Sequence, residues 1–441
     1  MTRRHRTWRS WSRTQSCVPH LYARPRSEEE VAELLAYATE RDLPVRAAGA
    51  GHSFAPLVNT TGVLVDMRGL RGVLATRGAG QDTEVTVAAG TSIGALATAL
   101  AARGLAVHGL GTTTAPTVAG AVATGTHGGG RHPSLSAQVA AVRLATADGA
   151  LLDVGGDGAD RLNALRLSLG TLGVVTAVTL RCVPAHLLQL REEYGPLGAV
   201  LEDPAGWAES AEHVSAFWFP WEERVRHRTL RRTGPPLGPE PRAPRLRALR
   251  DDVVRGWLLR EATARMPAGR RWRRARRVLA RASGAAPGPP RTVPAHRGLV
   301  FDQWMRFTAR EYAIPLDDLP AVLPVLGAAL ARTGFTPVLP LELRPGPAED
   351  VWLSPAYGRR TAWINLAAPA GPGRTRWFEA AEAVLGEAGA RPHWGKEHGF
   401  GADRLRGLYP RWEEFRAVRE GLDPGGRFLG AGVRRVLEVG E

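Results

Sequence analysis

Ala47-Ala48-Gly49-Ala50-Gly51-His52-Ser53 follows the apolar entry Leu43-Pro44-Val45 and holds only small residues up to its imidazole. Gly49 and Gly51 free the backbone to take positive φ and to approach a ligand closely. Successive N–H groups in such a turn form an anion-binding concavity. His52 projects beside the Ser53 hydroxyl, which suits a phosphate-bearing cofactor with a reactive ring. A tight surface turn with a solvated histidine is the alternative, because a short glycine-rich loop is a weak motif by itself.

The flanking sequence supplies a frame for this loop. Ser27-Glu28-Glu29-Glu30 is a capping-box pattern, and Val31, Leu34, Leu35 and Ala38 recur at helical spacing, so a helix runs to about Glu40. A strand near Val45 leads into the loop, and Gly62 to Asp66 reads as a second strand. The loop lacks the G-x-G-x-x-G dinucleotide fingerprint, which disfavours a nicotinamide-type Rossmann site. Further on, Glu84 to Ala88 alternates as a strand, and Gly90 to Arg103 reads as a helix with Ile93, Leu96, Ala97 and Leu100 on one face.

A second small-residue stretch, Gly109 to Gly130, includes Thr112, Thr117, Gly120, Ala121, Val122, Ala123, Thr124, Gly125, Thr126 and His127. So many Gly, Ala and Thr residues cannot fill a core. They can let a flat or extended ligand lie against the backbone, with Thr hydroxyls donating to phosphate; a flexible loop is the alternative. Val139 to Ala145 and Leu151 to Val154 form a hairpin through Asp148-Gly149. Leu169 to Thr176 leads into another strand that ends near Val183-Pro184 and closes a first domain.

The chain has 441 residues, a length that favours two domains, with hydrophobic content of 44% and charged content of 23%, as in soluble globular proteins. Its net charge of +15 comes almost entirely from Arg, a balance compatible with nucleic acid, an anionic membrane or anionic ligands, or with a plain compositional preference for Arg and Ala. Cys17 and Cys182 cannot build a disulfide framework or a metal cluster, so no metal and a reducing, cytoplasmic compartment are expected. Arg3-Arg4 is not followed by an apolar run, and no stretch is apolar enough to span a membrane.

Residues 224 to 297 are dense in Arg and Pro and read as an insertion. Within them Arg270 to Leu279 is a basic helix candidate that could touch a membrane surface or nucleic acid; a solvated surface segment is the plainer reading. Helix and strand signals resume over Asp317 to Arg332 and Pro337 to Arg344, and a last helix runs from about Arg411 to Glu420.

Taken together, Ala48 to Ser53, Thr117 to His127, Ser168 to Val175, Glu342-Leu343-Arg344 and His393-Trp394-Gly395-Lys396 resemble the sugar-1,4-lactone oxidases and dehydrogenases of the vanillyl-alcohol-oxidase superfamily. The resemblance implies an α+β fold: a two-subdomain PCMH-type FAD-binding domain over residues 15–186, after a basic tail at 1–14. A substrate domain with a large antiparallel sheet flanked by helices would cover 187–441, its last segment, 391–441, returning to the flavin.

Residue by residue, the resemblance makes His52 the covalent tether to the flavin 8α-methyl. Ala48, Gly49, Ala50, Gly51 and Ser53 would hold the pyrophosphate, with Gly120 to Thr126 continuing the cradle. Val175 would lie near the adenine. Thr112, Thr117, His127 and Lys396 complete the expected cofactor contacts. Glu342 and Arg344 lie two apart on an expected strand, so they share a face. With Lys396 they form the expected catalytic set, and with Thr112 and Asn365 the expected substrate set. Without the resemblance, Glu342 and Arg344 would read as an ion pair and Lys396 as a surface lysine.

The implied reaction is FAD-dependent oxidation of a secondary alcohol of a sugar-1,4-lactone, with O2 or a one-electron acceptor taking the electrons. Asn365 stands where alditol oxidases carry His, which favours a lactone, whereas Trp352 to Arg359 is also at home in the alditol branch and keeps a polyol open. Gly111, near the position that screens the flavin from oxygen, implies access for O2. The rival from another class is a nucleic-acid- or membrane-binding protein acting through residues 224–297. The lactone reading expects no nucleic acid and allows only peripheral membrane contact.

Overall fold

The computed structural model describes residues 6–156, 159–234, 272–283, 289–300, 306–371 and 373–438, with short pieces at 2–4, 262, 265–266 and 287. Helix Glu28–Glu40 is capped by Ser27, whose hydroxyl accepts the Glu30 N–H, and buries Val31, Leu35 and Ala38. It packs on a four-stranded sheet in which Leu21–Ala23, Val63–Asp66 and Val45–Ala48 run parallel. Arg46, inside Val45–Ala48, is buried and donates to the carbonyls of Leu57, Leu169, Gly170 and Phe428. The strand that carries the glycine loop is thereby tied to distant parts of the chain. Phe428 packs into the same small core, and Val45 N–H donates to Arg427 O at 2.8 Å, so the C-terminal segment returns to this sheet.

A second, antiparallel sheet joins Leu151–Gly155, Val139–Ala145, Val174–Pro184, Thr83–Ala88 and Val73–Arg77 in that order. The helix expected over Gly90 to Arg103 occupies only Ile93–Ala101. Ser92 caps its start, and its buried face carries the expected Ile93, Leu96, Ala97 and Leu100. The second small-residue stretch contains a short helix, Val118–Ala123, capped by Thr117.

The third sheet has eight strands, in the order Arg291–Pro294, Leu187–Pro196, Arg224–Thr233, His213–Trp218, Leu341–Gly346, Thr361–Ala368, Thr308–Pro315 and Arg391–Pro392, with every pairing antiparallel. Helices Leu319–Arg332 and Arg374–Glu387 bury Leu323, Leu326, Leu330, Trp377, Phe378 and Leu385 in its core.

Both ends of the Arg/Pro-rich segment belong to this sheet, since Arg224–Thr233 and Arg291–Pro294 are strands. The expected basic helix is Arg273–Ser283; Arg270 and Arg271, at its expected start, lie outside the described residues. Several of its arginines serve internal contacts: Arg276 donates to Thr336 O at 3.1 Å, Arg277 lies over Trp221, and Arg281 is 3.6 Å from Glu222. Among the described residues no helix is long and apolar enough to cross a membrane.

Candidate active site

Strand register builds the site. Glu311 lies opposite Asn365, and Asn365 lies opposite Glu342, so one row of polar side chains crosses three strands. Two residues along the same face, Ala313, Trp363 and Arg344 form the next row. Glu342 and Arg344 therefore share a face, as their spacing predicts.

Glu311 is the centre of this face. Its side chain is 1% exposed, and Oε1 accepts a hydrogen bond from Arg344 Nη2. Oε2 lies 3.5 Å from Lys396 Nζ, and Oε1 lies 3.4 Å from His127 Nε2. Burial opposes ionisation of Glu311, but Arg344 and Lys396 outweigh it and hold the carboxyl well below its usual range. Arg344 Nε is 3.8 Å from Glu342 Oε1. Burial disfavours the Arg344 charge, yet Glu342 and Glu311 more than compensate and raise its pKa.

Two histidines flank the carboxylate. The His127 ring stacks on Trp363 with centroids 3.7 Å apart, and its Nδ1 lies 2.8 Å from Gly128 O, so Nδ1 carries the proton. His393 Nδ1 accepts the Gly395 N–H at 3.0 Å, which puts its proton on Nε2. Burial lowers both pKa values, that of His393 to about 3, so both rings are neutral at physiological pH.

The two small-residue loops meet above this face. A Cβ on Gly49 would stand 2.1 Å from Thr117 Oγ1, and Gly51 has φ +70°, so both positions require glycine. Phe54 N–H donates to Gly395 O at 2.7 Å, and Lys396 Nζ lies 5.2 Å from the Phe54 ring centroid. The His52 loop is thus bound directly to the Lys396 loop. His52 stacks on Trp11 with ring centroids 5.3 Å apart, and burial pushes its pKa down to about 4. On the other side, Arg344 Nη1 donates to His127 O at 3.4 Å, and a Cβ on Gly129 would meet Arg344 Cβ at 2.9 Å.

The structure sorts the expected site residues. Glu342, Arg344, Asn365, Lys396 and His127 share one locality, and His52 and Ser53 adjoin it through the Gly395 contact. Ala48, Ala121 and Val122 bury their side chains in hydrophobic cores, so only their backbones can face a ligand. Thr124 donates its hydroxyl to Gly120 O, and Thr117 Oγ1 accepts the Gly120 N–H as a helix cap. Ala50, Thr112, Ala123 and Thr126 are half-buried, and Gly125 has φ +74°. Val175 pairs with Leu144 against two cores. Gly111 has a packing reason of its own, because a Cβ there would collide with Thr126 Cγ2 at 2.5 Å. Glu311, Trp363 and His393 were not foreseen as site residues.

The residues fit a flavin. The Gly49 and Gly51 backbone, packed on Thr117 and Trp8, adjoins a face on which the buried Asn365 Oδ1 and His127 Nε2 have no hydrogen-bond partner. A buried polar atom without a partner costs about 1–3 kcal/mol, and a ligand that bonds it would recover that cost.

This combination defines a two-domain flavoprotein oxidoreductase acting on CH–OH donors. Residues 19–155 match the family model described as FAD binding domain, and residues 178–436 match that of D-arabinono-1,4-lactone oxidase. The chain belongs to the D-arabinono-1,4-lactone oxidase family. It is 35% identical over 436 residues to L-gulono-1,4-lactone dehydrogenase of Mycobacterium tuberculosis, covering 98% of this chain and 99% of that one. Bovine L-gulonolactone oxidase is 31% identical, covering 98% of each chain. Among solved structures, a solvent-stable cholesterol oxidase superposes with a TM-score of 0.82 at 19% identity, covering 98% of this chain and 97% of that one. The cholesterol oxidase of B. sterolicum gives 0.80 at 18%, covering 99% and 97%. At such identities the two structures establish the shared fold alone.

Proposed function

We propose that the protein oxidises a secondary hydroxyl of a sugar-1,4-lactone of the L-gulono-, L-galactono- or D-arabinono- type. The observation that carries this is the buried cluster in which Glu311 joins Arg344 to Lys396, beside Asn365 Oδ1, which has no hydrogen-bond partner. FAD, held by the backbone of residues 48–53 and 117–127, supplies the two-electron acceptor.

The chain's own residues do the rest. Lys396 and Glu342, 20% and 12% exposed, are the outer members of the cluster and reach the substrate. Arg344 and Lys396 are fixed donors for the carbinol oxygen as negative charge develops on it, and their orientation is set before the reaction. Glu342 accepts the hydroxyl hydrogen, and Asn365 Oδ1 accepts from a neighbouring hydroxyl. Trp363 and His127, stacked and buried, keep water from the floor. Electrons leave to O2 or to a one-electron acceptor.

His52 is proposed as the covalent flavin tether. Neutral and half-buried, it keeps a nucleophilic nitrogen at physiological pH. The free thiols of Cys17 and Cys182 fit a reducing, cytoplasmic setting, with any membrane contact peripheral. An alditol remains the second reading, favoured by the segment Trp352 to Arg359 in the sequence. Anaerobic titration with aldonolactones and alditols side by side tests the proposal: lactones should bleach the flavin at lower concentration, and preferential bleaching by alditols would reverse the assignment.

A further inference from the structure

The position of Glu311 between two cations assigns it a task beyond holding them. We propose that Glu311 makes the site select the closed, neutral lactone over the open aldonate anion, an inference that rests on the lactone reading above. Water opens a 1,4-lactone at its acyl C–O bond and leaves a free hydroxyl, a carboxylate and one released proton. Every lactone solution therefore comes to contain an anion bearing the same hydroxyls as the substrate.

A site presenting Arg344 and Lys396 alone would prefer that anion, since a guanidinium and an ammonium both bind carboxylates. Glu311 prevents this from behind. One of its oxygens takes the Arg344 Nη2 hydrogen, and the other lies 3.5 Å from Lys396 Nζ. Glu342 places a second carboxylate 3.8 Å from Arg344 Nε. The remaining titratable rings against this carboxylate, His127 and His393, are kept neutral by burial. Glu311 and Glu342 thus offset the charge of Arg344 and Lys396, while Arg228, the next cation towards Glu342, has Glu192 3.9 Å away. Arg344 and Lys396 still donate hydrogen bonds to a neutral oxygen, but each is already faced by a carboxylate, which weakens its attraction for an aldonate.

Glu311 is 1% exposed and lies beneath the cations, so it acts through Arg344 and Lys396 rather than by touching substrate. The same geometry argues against a metal. Ligand atoms of His127, Glu311 and His393 lie within 4.8 Å of one another, but the two cations already on that carboxylate would repel a third.

The test uses the flavin-loaded enzyme and L-gulonate, the hydrolysis product of L-gulono-1,4-lactone. Gulonate is measured as a competitive inhibitor and, without turnover, as a perturbant of the flavin absorption spectrum. Wild-type enzyme should show neither inhibition nor spectral change at gulonate concentrations equal to the lactone KM. Glu311→Gln should bind gulonate at least about tenfold more tightly than wild type, whereas Glu311→Asp, which keeps the charge, should retain the discrimination. Wild type that binds gulonate as tightly as the lactone overturns the proposal even if Glu311→Gln fails to fold. So does a folded Glu311→Gln with no gain in gulonate affinity. In both cases wild type is still bleached by lactone; wild type that lactone does not bleach removes the lactone reading itself.

Discussion

Replacing Arg46 by methionine should loosen the flavin loop from the parts of the chain that hold it. Arg46 is 2% exposed, and its guanidinium donates to Leu57 O at 2.8 Å, Gly170 O at 2.8 Å, Phe428 O at 2.5 Å and Leu169 O at 2.6 Å. Burial lowers its pKa to about 10, with Asp423 opposing, so the group stays charged at neutral pH. Methionine fills similar space and donates nothing. Four carbonyls would lose a donor, at a gross cost of about 1–3 kcal/mol each. Release of the buried charge returns several kcal/mol, which leaves a net loss of about 3–5 kcal/mol, within the range found for breaking buried polar networks. Urea unfolding followed by tryptophan fluorescence measures it, and flavin content per chain reads the effect on the loop. The variant should show a lower midpoint at similar slope and substoichiometric flavin. A loss under about 1 kcal/mol with full flavin content would refute the claim that Arg46 holds the loop.

Acid precipitation of the wild type should leave yellow colour in the pellet, and His52→Ala should release the flavin to the supernatant; colour lost from both would remove His52 as a tether. Asp66 provides a pH test. Burial opposes its ionisation, but hydrogen bonds from Arg68, Tyr22 and Arg24 outweigh this and lower its pKa from 3.8 to about 2. A depressed carboxyl pKa stabilises the fold above the unfolded value and loses that contribution as pH falls through the folded one. About 2 kcal/mol should therefore disappear between roughly pH 4 and pH 2. Asp66→Asn should lack it at neutral pH and show a flatter stability profile in that window, measured by urea unfolding at each pH.

Local signals carried much of the fold. The Ser27 cap, the helical spacing of Val31 and Leu35, and the Asp148-Gly149 turn all correspond to structure because each depends on neighbours in sequence. Glu342 and Arg344 were legible for the same reason, since period two places them on one face. Glu311 was not. It sits in Thr308–Pro315 next to Arg310, which would read as its local partner, whereas its actual partners Arg344 and Lys396 come from other strands and loops. Only the register of the sheet reveals that it lies opposite Asn365. Its one local hint is a lone acid between Ala309 and Ala313 in a strand buried on both faces. Arg46 was hidden likewise, because a charged residue in a short strand reads as solvent-facing until its carbonyl partners are known. Arg224–Thr233 was masked by composition: its arginines read as an exposed insertion, whereas Val225, Arg228 and Leu230 are buried in the sheet.

The role of this charged face is tested most directly by a single anaerobic mixing experiment in which flavin absorbance is followed after L-gulono-1,4-lactone is added to wild type and to Arg344→Met. Wild type should lose its yellow colour, and the variant, equally yellow at the start, should be bleached at least about 100-fold more slowly. Wild type that keeps its colour with every aldonolactone, or a variant bleached at the wild-type rate, would contradict the claim that this charged face is where the lactone hydroxyl is oxidised.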